Sequence, residues 1–208
     1  LFCRITHEVD ASTEPWYSTF RNLDDDGTPK TVNVALGRGA VERMPVYDEA
    51  GKVHINYATA DLMESLFEKC GVSSPDAASL AGQIVSYRGS TLFATVSQLK
   101  QVAGMTDEYF DLIKDYVTVY SWENTAVERP AGTRAPVNIN TAPRIVLEAL
   151  FDPVPGITAF EAQDLADDIL SFRNSTPFVC IHTSDPTVTS SFEYFLRTVC
   201  TYLTTQQR

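Results

Sequence analysis

Basic residues are scarce in this chain: 16 Lys and Arg stand against 27 Asp and Glu, for a net charge of −11 and a pI near 4.6. Nucleic-acid backbones are bound chiefly through Lys and Arg, so such a balance repels phosphate polymers and anionic membrane surfaces. A protein or a cation fits it better as a partner. No run of about 18 apolar residues is present, so no stretch reads as a membrane-spanning helix. The four cysteines, Cys3, Cys70, Cys180 and Cys200, are widely spaced with no C-x-x-C, which disfavours zinc and thioredoxin-type chemistry. Buried thiols and one or two disulfides both remain open, since the compartment decides between them. The three histidines, His7, His54 and His182, lie far apart and join no motif. G-x-S-x-G, H-E-x-x-H, the P-loop and G-x-G-x-x-G are all missing, so the sequence gives catalysis no support.

What the chain does have is a duplication. Val53-His-Ile-Asn-Tyr-Ala58 runs on to Leu66-Phe67, then to Leu80-Ala-Gly-Gln-Ile-Val-Ser-Tyr-Arg88 and Phe93. Val137-Asn-Ile-Asn-Thr-Ala142 runs on to Leu150-Phe151, then to Leu165-Ala-Asp-Asp-Ile-Leu-Ser-Phe-Arg173 and Phe178. The offset is 84 at the first motif (137 − 53) and 85 at the second (165 − 80), which one indel explains. Two copies are too few for a solenoid, so the repeat implies an internal duplication inside one compact protein. Its matched positions are mostly apolar sites and helix-start signals, which argues for a scaffold before an enzyme. With 208 residues and 44% hydrophobic content, the chain can bury a core as one large or two small domains.

Leu1 to Val9 reads as the tail of a helix already under way, so upstream sequence is expected; an irregular excursion follows from Trp16 to Pro29. Thr31 to Leu36 and Val41 to Tyr47 predict strands, with hairpin chemistry at Asp48-Glu-Ala-Gly51 before a strand over Lys52 to Asn56. From Thr59 the period changes to about 3.6. A first helix carries Leu62, Met63, Leu66 and Phe67, a second starts at Ser74-Pro75, a short third opens at Ser97 and closes at Gly104, and a fourth opens at Thr106. Tyr116 to Ser121 returns to strand. The second copy predicts a strand over Pro136 to Asn140, a helix capped by Thr141, and a helix opened by the capping box Thr158-Ala-Phe-Glu161. Repeat register makes the tail from Ser191 begin as a helix, like Thr106 to Asp115. Its aromatic and β-branched alternation to Leu203 favours a strand, and strand is the expectation.

Asn56, Asn138 and Asn140 beside helix starts suit either ligand-binding amides or turn closure, and closure is favoured because Asn caps turns and tolerates unusual backbone angles. The Val154-Pro-Gly-Ile157 segment between two helices resembles a helix-hairpin-helix, a module that can grip nucleic acid at a helix N-terminus. Arg144 and Arg173 are the only basic residues near it, among Asp152, Glu161, Asp164, Asp167 and Asp168, so a phosphate would meet a repulsive field. Asn22-Leu-Asp24-Asp-Asp26-Gly27 has the first half of a calcium loop, with oxygen ligands at Asp24 and Asp26, but Asn33 stands where the closing carboxylate belongs.

Tyr47-Asp-Glu-Ala-Gly-Lys-Val-His-Ile-Asn56, Leu99-Lys-Gln-Val-Ala-Gly-Met-Thr106, Tyr116-Val-Thr-Val-Tyr120 and Val137-Asn-Ile-Asn-Thr-Ala142 together resemble the minor pseudopilin K family of type II secretion systems, general secretion pathway protein K. The resemblance covers most of the chain from about Trp16, and Ser191-Phe-Glu-Tyr-Phe195 looks like that family's closing strand. It implies an α+β fold: a pilin-like antiparallel sheet packed on an N-terminal helix, with a helical (helix-hairpin-helix/SAM-like) domain at 57–116 inserted into a pilin-like domain of 1–56 and 117–208. Sheet segments are then expected near 17–56, 117–140 and 190–204, and helices near 59–116 and 141–174. Phe67, Tyr87, Phe110, Phe151 and Phe172 are expected in the helical core. The resemblance further implies a non-catalytic, periplasmic subunit of the inner membrane, held by an N-terminal helix and assembled with the I-like and J-like minor pseudopilins at a filament tip. The partner surface is expected along Phe2, Ile5 and Val9. No cofactor is required, calcium being the candidate ion, and the chain alone is expected to be a monomer. Many relatives carry a long calcium-associated loop where this chain has only the short stretch between Arg88 and Ser97. A helix-hairpin-helix nucleic-acid-binding component of a DNA-uptake or related type IV filament system is the leading alternative, and a calcium-dependent adhesive module is a third reading.

Overall fold

The structure, a computed structural model, describes residues 32–36, 39–43, 48–120, 137–179 and 187–204 of the 208. The expected opening helix, the excursion to Pro29 and residues 44–47 lie outside the described residues. Strands β1 (Val32–Leu36) and β2 (Gly39–Arg43) pair antiparallel, with Val34 opposite Val41. Asp48 then caps a single 3-10 turn, Glu49–Gly51, by accepting the Ala50 N–H. The turn is where hairpin chemistry predicts one, but the following strand β3 (Val53–His54) pairs with β4 (Val117–Thr118), and the pairing is parallel, not antiparallel. Parallel strands need a long crossover, and the helices between them supply it. Val53 and Val117 sit fully buried at that pairing, which a surface hairpin would not achieve.

Helices fill the rest. In α1 (Ala60–Lys69), Thr59 caps the first turn by accepting the Leu62 N–H at 3.2 Å, and Leu62, Met63, Leu66 and Phe67 turn inward. Gly71, at φ +92°, reverses the chain into α2 (Ser74–Arg88), whose N-cap is Ser73, one residue before the expected Ser74. The Ser73 hydroxyl donates to Asp76, and Ser74-Pro75 forms the first turn. The stretch expected as a third helix is a 3-10 turn, Val96–Gln101. Gly104, at φ +85°, leads into α3 (Asp107–Ile113), capped by Thr106. The second copy supplies α4 (Arg144–Phe151) and α5 (Ala159–Arg173), with Gly156 at φ +88° between them. The capping box at Thr158 and Glu161 forms as expected.

Three expectations in the later half are corrected. Residues 137–140 make no strand; the segment enters a turn at Ile139–Thr141. Thr141 does not cap α4: Pro143 takes that position with extended angles and no side-chain bond, while the Thr141 hydroxyl donates to Asp48 at 2.5 Å. The tail from Ser191 is a helix, α6 (Phe192–Thr198), with Ser191 accepting the Tyr194 N–H. Repeat register is therefore right there and alternation wrong: Glu108-Tyr109-Phe110 of α3 recurs 85 residues later as Glu193-Tyr194-Phe195 of α6. Helical spacing sends Phe192, Phe195 and Leu196 to one side, where Phe195 is fully buried against Phe172 and Phe178 at ring distances of 5.1 and 5.2 Å.

The described residues are thus mixed α and β, with more helix than strand, and their strands form two separate pairs. One apolar cluster joins both copies: α1 packs on α2 and on α4, and α4 on α5. Helices α1 and α4 are matched elements, so the copies meet through the same part of each. Phe67 and Phe110 are buried as expected, whereas Tyr87, Phe151 and Phe172 are half-buried at the margin of that cluster.

Candidate functional site

The polar residues at matched positions of the duplication form two equivalent anchors. In the first copy Asn56 Nδ2 donates to the Phe93 carbonyl at 3.0 Å, and the Phe93 N–H donates to Asn56 Oδ1 at 2.8 Å. In the second copy Asn140 treats Phe178 the same way, at 2.9 and 2.8 Å. Each Asn thus satisfies both backbone groups of a buried phenylalanine that has no strand partner, which a hydrophobic side chain could not do. The ring held there stacks on the end of the long helix: Phe93 on Tyr87 at 4.7 Å, Phe178 on Phe172 at 5.1 Å.

The arginine that closes each long helix completes the anchor. Arg88 donates to the Ile55 carbonyl at 2.8 Å, and Arg173 to the carbonyls of Ile139 at 2.6 Å and Ala142 at 2.8 Å. Arg173 is 5% exposed, and carbonyl acceptors offset part of the cost of burying its charge. Burial pulls the Arg88 pKa below the ordinary guanidinium value. The turn itself repeats too: the Ala58 and Ala142 N–H groups donate to the carbonyls of His54 and Asn138, both at 2.9 Å.

Asp48 ties the 3-10 turn to the second copy. Its Oδ2 accepts from Asn138 Nδ2 at 3.1 Å and from the Thr141 hydroxyl, while the Ala50 carbonyl accepts the Asn138 N–H at 2.8 Å. Gly51 lies so close that an added Cβ would sit 3.0 Å from the Thr141 carbonyl carbon.

These bonds assign Asn56, Asn138 and Asn140 to closure. The repeat also singled out Arg88 and Arg173 as matched positions, but nothing local in the sequence distinguishes a carbonyl-bracing arginine from a surface one. Asp48 gave only a turn signal; its partners lie 90 and 93 residues away.

The other basic side chains among the described residues are paired as well. Arg144, beside the second hairpin, forms a two-pronged pair with Asp167 at 2.7 and 2.9 Å and pairs with Glu148 at 2.5 Å. The guanidinium holds the Asp167 carboxyl below its usual range, and Asp167 raises Arg144. Lys69 pairs with Asp152 at 3.0 Å, joining α1 to the loop after α4, and Lys52, Lys100, Lys114 and Arg197 pair with Glu49, Asp107, Asp111 and Glu193. Every Lys and Arg whose side chain is described therefore has an acidic or carbonyl partner within the chain. At those side chains a polyanion would have to compete with the partners already in place.

A shallow concavity of ≈ 320 Å³ is lined by Asp61, Glu64, Ser65, Glu68, Asp152 and Pro153. Its carboxylates are not arranged as a metal site: among the described residues no group of three or more His, Cys, Asp or Glu is placed to hold an ion. Also among the described residues, no helix is long and apolar enough to cross a membrane. The sequence's calcium pair, Asp24 and Asp26, and its partner-surface residues, Phe2, Ile5 and Val9, lie outside the described residues, as do Cys3 and Cys180. Cys70 is a free, half-buried thiol, and Cys200 is buried near Asp168.

No protein-family model matches the chain, and no curated protein matches it. Among solved structures it is similar to a chain of the GspK-GspI-GspJ complex of the enterotoxigenic Escherichia coli Type 2 Secretion System, at 17% identity and a TM-score of 0.48, covering 80% of this chain and 70% of that one.

Proposed function

We propose that this chain is a non-catalytic minor pseudopilin that sits at the tip of a type II secretion pseudopilus, helps start the filament and supports protein export across the outer membrane. The observation that carries the reading is a coincidence of two kinds of residue. The ordered motifs that resemble the K family, above all Val53 to Asn56 and Val137 to Ala142, are the same residues that build the duplicated anchors. A binding or catalytic site needs polar groups with bonding capacity left for a ligand; here the distinctive polar groups are spent on holding the chain to itself.

On this reading residues 57–116 are the inserted helical domain and 1–56 with 117–208 the pilin-like domain, the periplasmic part of an inner-membrane protein anchored by an N-terminal helix. The partners are I-like and J-like pseudopilins, met along Phe2, Ile5, Val9 and a sheet edge, with the turns at Gly104 and Gly156 facing away. No cofactor is needed; Asp24 and Asp26 are a calcium candidate, tested by whether calcium raises the melting temperature over chelated protein. Size-exclusion chromatography of the chain mixed with I-like and J-like partners tests the assignment, and co-elution is expected. Separate elution together with salt-dependent DNA binding would replace it with the nucleic-acid reading, which the partnered basic residues oppose.

A further inference from the structure

The two anchors hold their phenylalanines with nearly equal bonds, 3.0 and 2.8 Å against 2.9 and 2.8 Å, but in unequal surroundings. Asn140 is buried and Asn56 half-buried, so water competes more for the bonds of the first copy. The rings differ in the same direction. Phe178 meets Phe172, Phe192 and Phe195 at 5.1, 5.5 and 5.2 Å, whereas among the described residues Phe93 stacks only on Tyr87, at 4.7 Å. Ahead of each ring, Thr176 and Pro177 are half-buried, while the matched Thr91 and Leu92 are exposed. Beyond each ring, the Val179 N–H donates to the Ser190 carbonyl at 3.1 Å, whereas the Ala94 and Thr95 N–H groups donate to Gln98 Oε1, a side chain of the 3-10 turn that follows. The brace behind them is unequal as well, since Arg88 reaches one carbonyl and Arg173 two. Every one of these differences favours the second copy.

We propose that Gly89 to Ala94 is a releasable strap, which leaves the body and returns while the rest of the chain stays folded, whereas the matched loop of the second copy, Asn174 to Val179, stays fastened. Its two ends are fixed. At one, α2 finishes with Arg88 bonded to the Ile55 carbonyl; at the other, Gln98 holds the Thr95 N–H at the start of the 3-10 turn, whose Leu99 is fully buried. Between them only Phe93 is buried, while Gly89 to Leu92 and Ala94 are exposed. Release therefore breaks the two Asn56 bonds and unseats one ring, with no loss of helix. Release of the second loop would strip Phe178 from three rings, two of them on α6. A contact set as small as that of Phe93 puts strap opening well below global unfolding in free energy. In the open state Leu92 and Phe93 stand together in solvent, on the first copy alone.

Native-state amide hydrogen exchange on the whole chain, followed through low concentrations of urea, tests this with the second copy as internal control. The Phe93 amide should be less protected than the Phe178 amide by about tenfold or more, and should respond weakly to urea because the open strap bares little surface. Phe178 should follow the steep slope of global unfolding. A steep Phe93 slope, or equal protection at the two amides, would overturn the strap. Asn140→Ala supplies a second arm, because Asn140 keeps its bonds while only the strap is open. That variant should lower the protection of the Ile169 amide, inside α5, along with the stability of the whole, and leave Phe93 as it was. A Phe93 loss as large as that of Ile169 would show that Phe93 opens only with the whole molecule, and would equally overturn the strap. If N140A does not fold, the two slopes in the unaltered protein decide alone. No readout involves a partner, so the result bears on the strap and not on the filament assignment.

Discussion

Asn140 reaches a phenylalanine 38 residues away and takes both of its backbone groups, so its amide is irreplaceable by shape alone. Asn140→Ala removes two bonds in a site 3% exposed and leaves the buried Phe178 groups unpaired, an expected loss of about 2 to 3 kcal/mol in urea unfolding. Asn56→Ala, at a half-buried site, should cost less. Equal and negligible losses would contradict the anchor account. Cys70 offers a second check. Burial pushes its thiol up to about 12, from an ordinary 9.0, so the folded chain keeps it protonated. Its stabilising contribution is full below the thiol pKa of the unfolded chain and fades as pH rises above that value. At about pH 8, site-resolved labelling of Cys70 should be slow until the protein is unfolded; labelling at the unfolded rate would show the thiol is not buried. At this scale Asn closure was legible because Asn has few other reasons to precede a helix start twice. The partners were not, since nothing in Phe93 or Phe178 marks it as the residue an amide will hold.

Each long helix starts after a glycine in a left-handed conformation, and Gly71 and Gly156 differ by only 4° in φ (92 against 88). Gly156→Ala should cost about 1 to 2 kcal/mol from backbone strain, although its side chain would be small, and a thermal melt would detect it. At the start of α2, bonds from the Ser73 and Tyr109 hydroxyls hold the Asp76 carboxyl below its ordinary value. The sign follows: this contribution is present above the unfolded carboxylate pKa and is lost as pH falls through the depressed folded one. Asp76→Asn should therefore flatten the acid limb of the stability curve, and an unchanged limb would show that the bonds do not favour the ionised form. Helix starts were legible to within a residue or two where a Ser or Thr precedes an apolar stripe, as at Thr59, Thr106 and Thr158. The tail was misread because Ser191 to Leu203 alternates like a strand, and only the packing of Phe195 among Phe172, Phe178 and Phe192 decides for a helix.

At the scale of the molecule the duplication was readable, because a repeat whose offset changes by only one residue, from 84 to 85, needs no knowledge of folding. The pairing of β3 with β4 was not, because partner choice between strands more than sixty residues apart depends on what the intervening helices bury. The central claim of the proposed function is that this chain caps a filament and does not extend one; on that reading a helical insertion would obstruct stacking of a further copy and make the contacts heterologous. On the same reading a net charge of −11 would keep isolated chains apart. Counting copies by native mass spectrometry, in a mixture of this chain with I-like and J-like pseudopilins, tests that claim most directly. The account predicts one copy of this chain in each mixed assembly and monomers when it is alone; assemblies with several copies stacked, a fibre of this chain by itself, or no association with the partners would contradict it.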